Sequence, residues 1–532
     1  MGSADWLVVA SLCLVSLVVG LIFTRRAEKQ GASGYFTGNR SLPWWAIGLS
    51  NTATYQSGNG AFVMLVLVFG LSGNWLWWAS WIIWMPLVAI IWARMWRRMQ
   101  IVTTAELITL RYGRKSAIFG GLIGVVFTDV MQFFILFIGN LIFFFLAVPR
   151  HGGWQAIAER ARRVRPESLQ QFPPTVLIPV MTVAMLVVQG LFFAGSPTAG
   201  EGMTAQRFMG AKNERQALGG QLFNSFLALS LRTVPLIGLG VVTLSLFWTE
   251  DLVRQVGSLP AGFKLLRDPA YAWGELINFS RLPKGFVGVL VAAEAAAFMS
   301  TLSALINWGS SFVINDFCRP LKPQASPKSQ ILVSRLTTLF LFIIAALVAV
   351  FYVKGMVSWF LFINSVMVIF ILPLSWLRFF WWRFNVWGEL AATILGLPLS
   401  ILFWFILGFQ DRPFWQSTGF LFLLSFFLLT AVTLLTPPES EETLLRFYES
   451  CRPPGLWKRI RARASTAAEA EPSLGHLVLD DALGIACCLG LVVLTNSLFA
   501  GSWALFASGA LGFGGFGYWL IKRVLITREN KR

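Results

Sequence analysis

Histidine and formal charge are what this chain of 532 residues has least of: two histidines, and Asp, Glu, Lys and Arg at 13% together. So little charge cannot supply the solvated surface of a soluble globular domain. Both histidines, His151 and His476, fall in predicted loops, which argues against an intramembrane histidine relay or histidine-based metal hydrolysis. No nucleophile, base and third group recur together inside the apolar stretches, so no enzyme is expected. The five cysteines, Cys13, Cys318, Cys451, Cys487 and Cys488, show no metal-ligand spacing and no disulfide framework. Ten-residue alternation of an outer-membrane barrel is missing too. The first apolar stretch lacks a basic leading region and a small-residue cleavage pattern, so it reads as a retained span. Met1-Gly2-Ser3-Ala4-Asp5-Trp6 also lacks the hydroxyl residue of a myristoylation signal.

What is present is apolar and aromatic: 56% hydrophobic residues, 24 Trp, 47 Phe and a mean hydropathy of +0.67. Thirteen stretches of spanning length lie near 6–23, 43–71, 75–94, 117–147, 175–196, 219–248, 285–314, 330–352, 356–377, 386–409, 416–435, 478–499 and 502–521. They predict an all-α polytopic membrane protein, embedded in a lipid bilayer. The net charge of +18 then reports orientation and not nucleic-acid binding. Arg25, Arg26, Lys29 and Arg40, then Arg94, Arg97, Arg98, Arg111, Arg114 and Lys115, then Lys522, Arg523, Arg528, Lys531 and Arg532 share one side if the N-terminus is outside and the C-terminus cytoplasmic. Arg150, Arg160, Arg162, Arg163 and Arg165 fall on the other side and disagree.

One apolar stretch organises the rest. Ala292 to Asp316 carries Glu294, Ser300, Thr301, Ser303, Asn307, Ser310 and Ser311 inside a run long enough to span, and lipid does not favour those groups. Ala297, Ser300, Thr301 and Ala304 recur at helical spacing, so a carbonyl and two hydroxyls line one face. The face is either an oxygen-only site for a monovalent cation or a close-packed helix contact. Upstream, Ser50 to Gly60 interrupts a second span with Asn51, Thr52, Thr54, Gln56, Ser57, Asn59 and two glycines. A discontinuous helix with binding groups at its break accounts for this, and a loop between shorter segments is the alternative.

Other polar groups are ambiguous alone. Asp129 in TDVMQ is either a functional acid within a span or a helix cap. Arg232, ahead of Pro235, either meets substrate or snorkels to a partner. Trp75, Trp77, Trp78, Trp81 and Trp84 read as belt and packing residues, with one or two available to stack on a solute. Val102–Tyr112 reads as an amphipathic inner-surface helix, RFFWWRFNVWGE as an anchoring elbow, and Thr436–Leu474 as a lipid-surface or regulatory element. Gly512, Gly514 and Gly517 match GxGxxG without a preceding strand, a packing feature and not a dinucleotide site.

Together SLPWWAIGLSNTA, TTAELITLRYG, GGLIGVVFTDVMQ, the Gln206-Arg207 loop, AAFMSTLSALIN followed by Asn315-Asp316, and WWRFNVWGE resemble the sodium:solute symporter family, in that family's order. The resemblance implies a LeuT-type inverted repeat of five plus five core helices. On that basis residues 1–42 are an extra helix and inner loop, 43–147 the first repeat, 175–377 the second, 378–435 two peripheral helices, 436–477 a cytoplasmic polar segment and 478–532 two further helices with a basic tail. It implies Na+ as the coupling ion, held by backbone oxygens of Leu49, Thr52 and Ala297 and by the hydroxyls of Ser300 and Thr301. A second sodium would fall at Asp129 and Ser303, although Ala304 stands where a hydroxyl is expected. Asn51, Gln56 and Trp78, near the expected break, are the candidate solute contacts.

The chain departs from the family between Tyr112-Gly113 and Gly120-Gly121. There the family carries its third and fourth core helices, roughly fifty residues at spanning length, and here only Arg114 to Phe119 intervene. The resemblance implies a sodium-coupled symporter of a small organic solute, working by alternating access; the alternative is a non-transporting membrane sensor or scaffold, or an inactive shortened symporter relative.

Overall fold

A computed structural model describes residues 1–29, 40–54, 59–101, 105–112, 123–172, 180–195, 202–249, 271–312, 327–351, 372–464 and 473–526. Nearly all of them are helical, and the described residues hold no sheet, only two isolated bridges. In chain order the helices are α1 (Ser3–Lys29), α2 (Trp44–Thr54), α3 (Asn59–Phe69), α4 (Leu71–Arg98), α5 (Ala105–Tyr112), α6 (Ile123–Arg150), α7 (Gly153–Val164), α8 (Val180–Phe193), α9 (Met203–Met209) and α10 (Glu214–Phe247). There follow α11 (Ala272–Phe279), α12 (Phe286–Phe312), α13 (Pro327–Phe351), α14 (Leu372–Phe380), α15 (Val386–Ile406), α16 (Phe414–Leu435), α17 (Glu441–Cys451), α18 (Lys458–Arg461), α19 (Leu474–Ala500) and α20 (Trp503–Ile526). Seven described helices are long and apolar enough to cross a membrane, and shorter apolar helices accompany them.

The bundle has an inner group and a rim. α4 and α10 are buried over most of their length, whereas α15, α16 and α20 expose apolar side chains such as Leu397, Phe427 and Leu511, as lipid-facing helices do. α2 packs on α10, α6 and α12, α3 packs on α10, and α1 covers α6 and α12. The tryptophans of α4 turn inward: Trp78 and Trp84 are about 1% exposed, and an edge-to-face series runs from Trp77 through Trp81 and Trp84 to Phe193 of α8. They pack helices together and do not form a belt.

Backbone chemistry sets local geometry. Pro235 has no N–H to give the preceding turn, and just before it the helix widens: Arg232 N donates to Leu227 O at 2.9 Å, a five-residue step. Asn213 caps α10 by accepting from Gln216 N at 2.9 Å, and Asn385 caps α15 by accepting from Gly388 N at 3.1 Å. Asn385→Ala is expected to cost about 1 kcal/mol of stability, read as a lowered melting temperature. α19 and α20 form a hairpin that closes at Gly490 and Gly509, where an added Cβ would come within 2.5 Å of the facing backbone. Of the GxGxxG glycines, Gly514 faces open space and Gly512 lies against Gly490, so the motif belongs to this crossing.

The polar segment after α16 docks on protein. Leu444, Phe447, Tyr448 and Cys451 of α17, Trp457 at the start of α18 and Ile460 within it are buried, and Trp457 Nε1 donates to Phe379 O at 2.7 Å. The centre of this assembly is Arg111 of α5, fully buried, which donates through Nε to Arg378 O at 3.1 Å and through Nη2 to Phe384 O at 2.7 Å. Its guanidinium lies 5.3 Å from the ring centres of both Phe447 and Trp457. Next to it the Tyr112 hydroxyl donates to Glu389 at 2.8 Å, and Arg378 pairs with the same carboxylate. Burial first, then the Glu389 charge, pushes the Tyr112 phenol well above its ordinary range. A pKa raised on folding stabilises fully below the unfolded value near pH ~10 and is lost as pH rises through the folded value. Tyr112→Phe is therefore expected to lose part of the stability decline that wild type shows above pH ~10, leaving the profile below that pH unchanged in shape.

Candidate functional site

Four elements meet at Asp129. It projects from α6 and is fully buried. Ser50 of α2 donates to its Oδ2 at 2.6 Å, Ser300 of α12 donates to its Oδ1 at 2.5 Å, and Arg207 of α9 donates through Nη2 to Oδ2 at 2.7 Å. Arg207 also donates through Nε to Ser50 Oγ at 2.6 Å and through Nη2 to Thr54 Oγ1 at 2.7 Å. Ser50 and Thr54, four residues apart, present one face of α2, and the Thr54 hydroxyl returns a bond to Ser50 O at 2.9 Å. Charge and hydrogen-bonding capacity at this carboxylate are thus matched within the protein.

One turn along, Thr301 joins α12 to α2. Its hydroxyl lies 2.8 Å from Thr54 O and 3.2 Å from Ala297 O. A hydroxyl and two carbonyl oxygens therefore converge between the two helices, a donor set suited to a hard monovalent cation.

The expected sodium ligands separate into two groups. Ser300, Thr301 and Ala297 share the α12 face that opposes α2, and Asp129 joins them. Leu49 and Thr52 are expected through their backbone oxygens, and their side chains are engaged elsewhere: Leu49 lies in an apolar cluster with Ala53, Phe133 and Leu227, and the Thr52 hydroxyl bonds Gly48 O and Asn224 Oδ1, both at 2.8 Å. The residue of α2 that reaches Thr301 is Thr54. The Ser303 side chain and the whole of Gln56 lie outside the described residues; of the expected interruption from Ser50 to Gly60, residues 50–54 belong to α2 and 59–60 to α3, and 55–58 lie outside the described residues.

Beside Thr52 is a small amide cluster. Asn51 Nδ2 donates to Gln221 Oε1 at 3.3 Å, and Asn224 Nδ2 donates to the same oxygen at 3.2 Å. Asn51 Oδ1 and Gln221 Nε2 are buried and have no hydrogen-bond partner among the described residues, and the same holds for Trp78 Nε1. Arg232 is buried as well, with its guanidinium 5.2 Å from the Phe62 ring centre and 5.7 Å from that of Trp81. α2 and α10 approach closely here: an added Cβ on Gly48 would lie 2.6 Å from Phe223 and 2.9 Å from Gly220 O. Gly48→Ala is expected to overpack this crossing by about 1–3 kcal/mol, lowering the apparent melting temperature.

Sequence reading assigns no ligand role to Ser50, Thr54 or Arg207. The first two are signalled only by their i, i+4 spacing next to Asn51 and Thr52. Arg207 enters the sequence reading only as part of the Gln206-Arg207 loop, and the structure makes it a buried partner of an acid 78 positions earlier.

The sodium:solute symporter family model matches residues 35–118 and 117–396. The chain belongs to the sodium:solute symporter family. It is 22% identical to sodium/glucose cotransporter 4 of Danio rerio, over 84% of this chain and 80% of that protein. It is 26% identical to sodium/myo-inositol cotransporter 2 of Bos taurus, over 75% and 69% respectively. Among solved structures it is similar to a Na+-coupled sialic acid symporter in a substrate-bound outward-open state, with a TM-score of 0.64 at 19% identity, covering 82% of this chain and 99% of that one. The fold is therefore the LeuT-like helical bundle of that family. The two matched stretches of the family model meet at 117–118, inside the short join between α5 and α6.

Proposed function

We propose that the chain is a sodium-coupled symporter of a small organic solute in a multi-pass membrane setting, with its N-terminus outside and its C-terminus cytoplasmic. The observation that carries this reading is the convergence of Thr301 Oγ1, Thr54 O and Ala297 O beside the Asp129 and Ser300 pair, where α2 meets α12. Na+ as co-substrate would bridge these two helices there, and Leu49 and Thr52 would contribute through backbone oxygens. A ligand that binds one arrangement of α2 and α12 better than another shifts the population toward it by its differential affinity. Na+ so placed favours the outward-open state that accepts solute, and rocking of the bundle then exposes both inward.

Asn51, Gln56 and Trp78 are the proposed solute contacts. The unpartnered buried Asn51 Oδ1 supports one of them, because a polar ligand would satisfy that atom. The break of the family match at 117–118 supports the absence of the third and fourth core helices and so favours one competing reading, a membrane sensor or scaffold that retains the fold without the cycle. Proteoliposomes loaded without sodium separate the two. Symport predicts that an inward Na+ gradient, and not K+, drives several-fold accumulation of at least one solute from a panel of sugars, polyols, carboxylates and amino acids. No gradient-driven uptake of any panel member, together with saturable Na+ binding, would assign the chain to the sensor class.

A further inference from the structure

Helical spacing separates the apolar and basic residues around α18. Trp457, Ile460 and Ala464 are buried, whereas Lys458, Arg459, Arg461 and Arg463 are exposed. The apolar side is covered by protein: the Trp457 ring lies 5.6 Å from that of Phe447 and 6.0 Å from that of Tyr448, and its Nε1 reaches Phe379 O. The basic side therefore faces away from the bundle.

Contacts on either side of α18 set its level in the fold. Leu456 N donates to Phe380 O at 2.7 Å, and the Arg459 guanidinium lies 5.2 Å from the Trp382 ring centre, so the segment is tied to the elbow between α14 and α15. Arg383 of that elbow donates to Thr436 O at 2.6 Å, where α16 ends. Trp387 at the start of α15, and Leu434 and Leu435 at the end of α16, are exposed, as side chains at the edge of a bilayer's apolar core are. The headgroup layer begins at that level. Acids there are engaged: Glu441 pairs with Arg463, Glu442 with Arg446 and Glu389 with Arg378, and Glu439 accepts from Val386 N at 2.9 Å. Lys458, Arg459 and Arg461 pair with no acid among the described residues. Beside them Leu456 exposes an apolar side chain.

We propose that the outward side of α18 is a docking surface for anionic phospholipid headgroups, with Lys458, Arg459 and Arg461 on the phosphates and Leu456 at the acyl boundary. Cations in register with the headgroup layer supply the charge complementarity, and the exposed leucine among them suits a lipid and not a soluble anion. The apolar side of α18 belongs to the protein, so bound lipid would tie residues 436–464 to the membrane as well as to the bundle. The surface uses none of the residues at Asp129 and Thr301 and does not rest on the symport reading.

The test is binding of a phosphatidylglycerol with a fluorescent acyl chain to the full chain in nonionic detergent, competed by unlabelled lipids. Unlabelled phosphatidylglycerol is expected to displace the probe, and phosphatidylcholine of the same acyl chains and inorganic phosphate are not. Each cation at an anionic surface contributes about fivefold in affinity, so K458Q/R459Q/R461Q is expected to bind about 100-fold more weakly. R459K/R461K, which keeps the charge, is expected to stay within about fivefold of wild type. R162Q/R163Q, which neutralises two exposed arginines of α7, is expected to bind as wild type does. All three α18 side chains are exposed, so the triple variant should melt with wild type when no lipid is added. If it does not, K458Q and R461Q, each expected to bind about fivefold more weakly, carry the test. Undiminished binding in the substituted chains, equal displacement by phosphatidylcholine, or an equal loss in R162Q/R163Q overturns the proposal. Displacement by inorganic phosphate assigns the surface to a soluble anion and overturns it as well.

Discussion

Asp129→Ala is expected to destabilise the chain by about 3–5 kcal/mol, the range for removing one partner of a buried ion pair. The cost comes from what remains and not from the lost attraction alone. Arg207 would keep its full charge in a buried site with its carboxylate partner gone. Ser300 would lose its acceptor as well. Removing both charges is therefore less damaging than the sum of the single substitutions, and the double-mutant cycle should show a coupling within the range of about 0.5–3 kcal/mol seen for residues of one network. Thermal unfolding of Asp129→Ala, Arg207→Ala and the pair checks this; additive losses would mean that the two residues act independently.

Arg111→Ala is expected to lose about 3 kcal/mol or more, since hydrogen bonds to a charged group contribute about 1.5–3 kcal/mol each and the buried carbonyls of Arg378 and Phe384 would lose their donor. The effect should be local in character. Arg111 holds α5, the elbow after α14, and the rings of Phe447 and Trp457 on one cation, so its loss frees α17 and α18 from the bundle. Limited proteolysis should then cut within 436–464 at protease levels that leave wild type whole. Arg111→Lys should recover only part of the protection, because a single ammonium cannot span carbonyls that a fork reaches together. Unchanged cleavage in Arg111→Ala would mean that the segment is held by its apolar face alone.

These two arginines show where a sequence can be read and where it cannot. Spans, the small polar face of α12 and the acid in α6 are written in local pattern: hydropathy gives the first, helical spacing the second, and an acid in an apolar run the third. Ser300 and Thr301 therefore emerge from periodicity alone. Arg207 does not, because nothing within a helical turn of it names a partner; its role exists only once α9 is folded against α2 and α6. That Thr54 O is the acceptor of the Thr301 hydroxyl is a matter of how the two helices are rotated and set against each other, which hydropathy leaves undetermined where every neighbour is small or polar. The segment after α16 was illegible for another reason. An amphipathic helix with buried Leu444, Phe447 and Tyr448 has the same pattern whether it lies on lipid or on protein, and only the aromatic cage around Arg111 decides. The tryptophans of α4 were ambiguous in the same way, since belt and core use the same side chain.

The most direct test of the account is the thermal stability of the purified chain titrated with Na+ against K+ at matched ionic strength, beside Ser300→Ala/Thr301→Ala. Specific binding at a hundred times the dissociation constant adds about 2.7 kcal/mol. The account predicts a saturable rise in melting temperature with Na+, no equivalent rise with K+, and loss of the rise in the double substitution. Identical responses to Na+ and K+ in both proteins would contradict it.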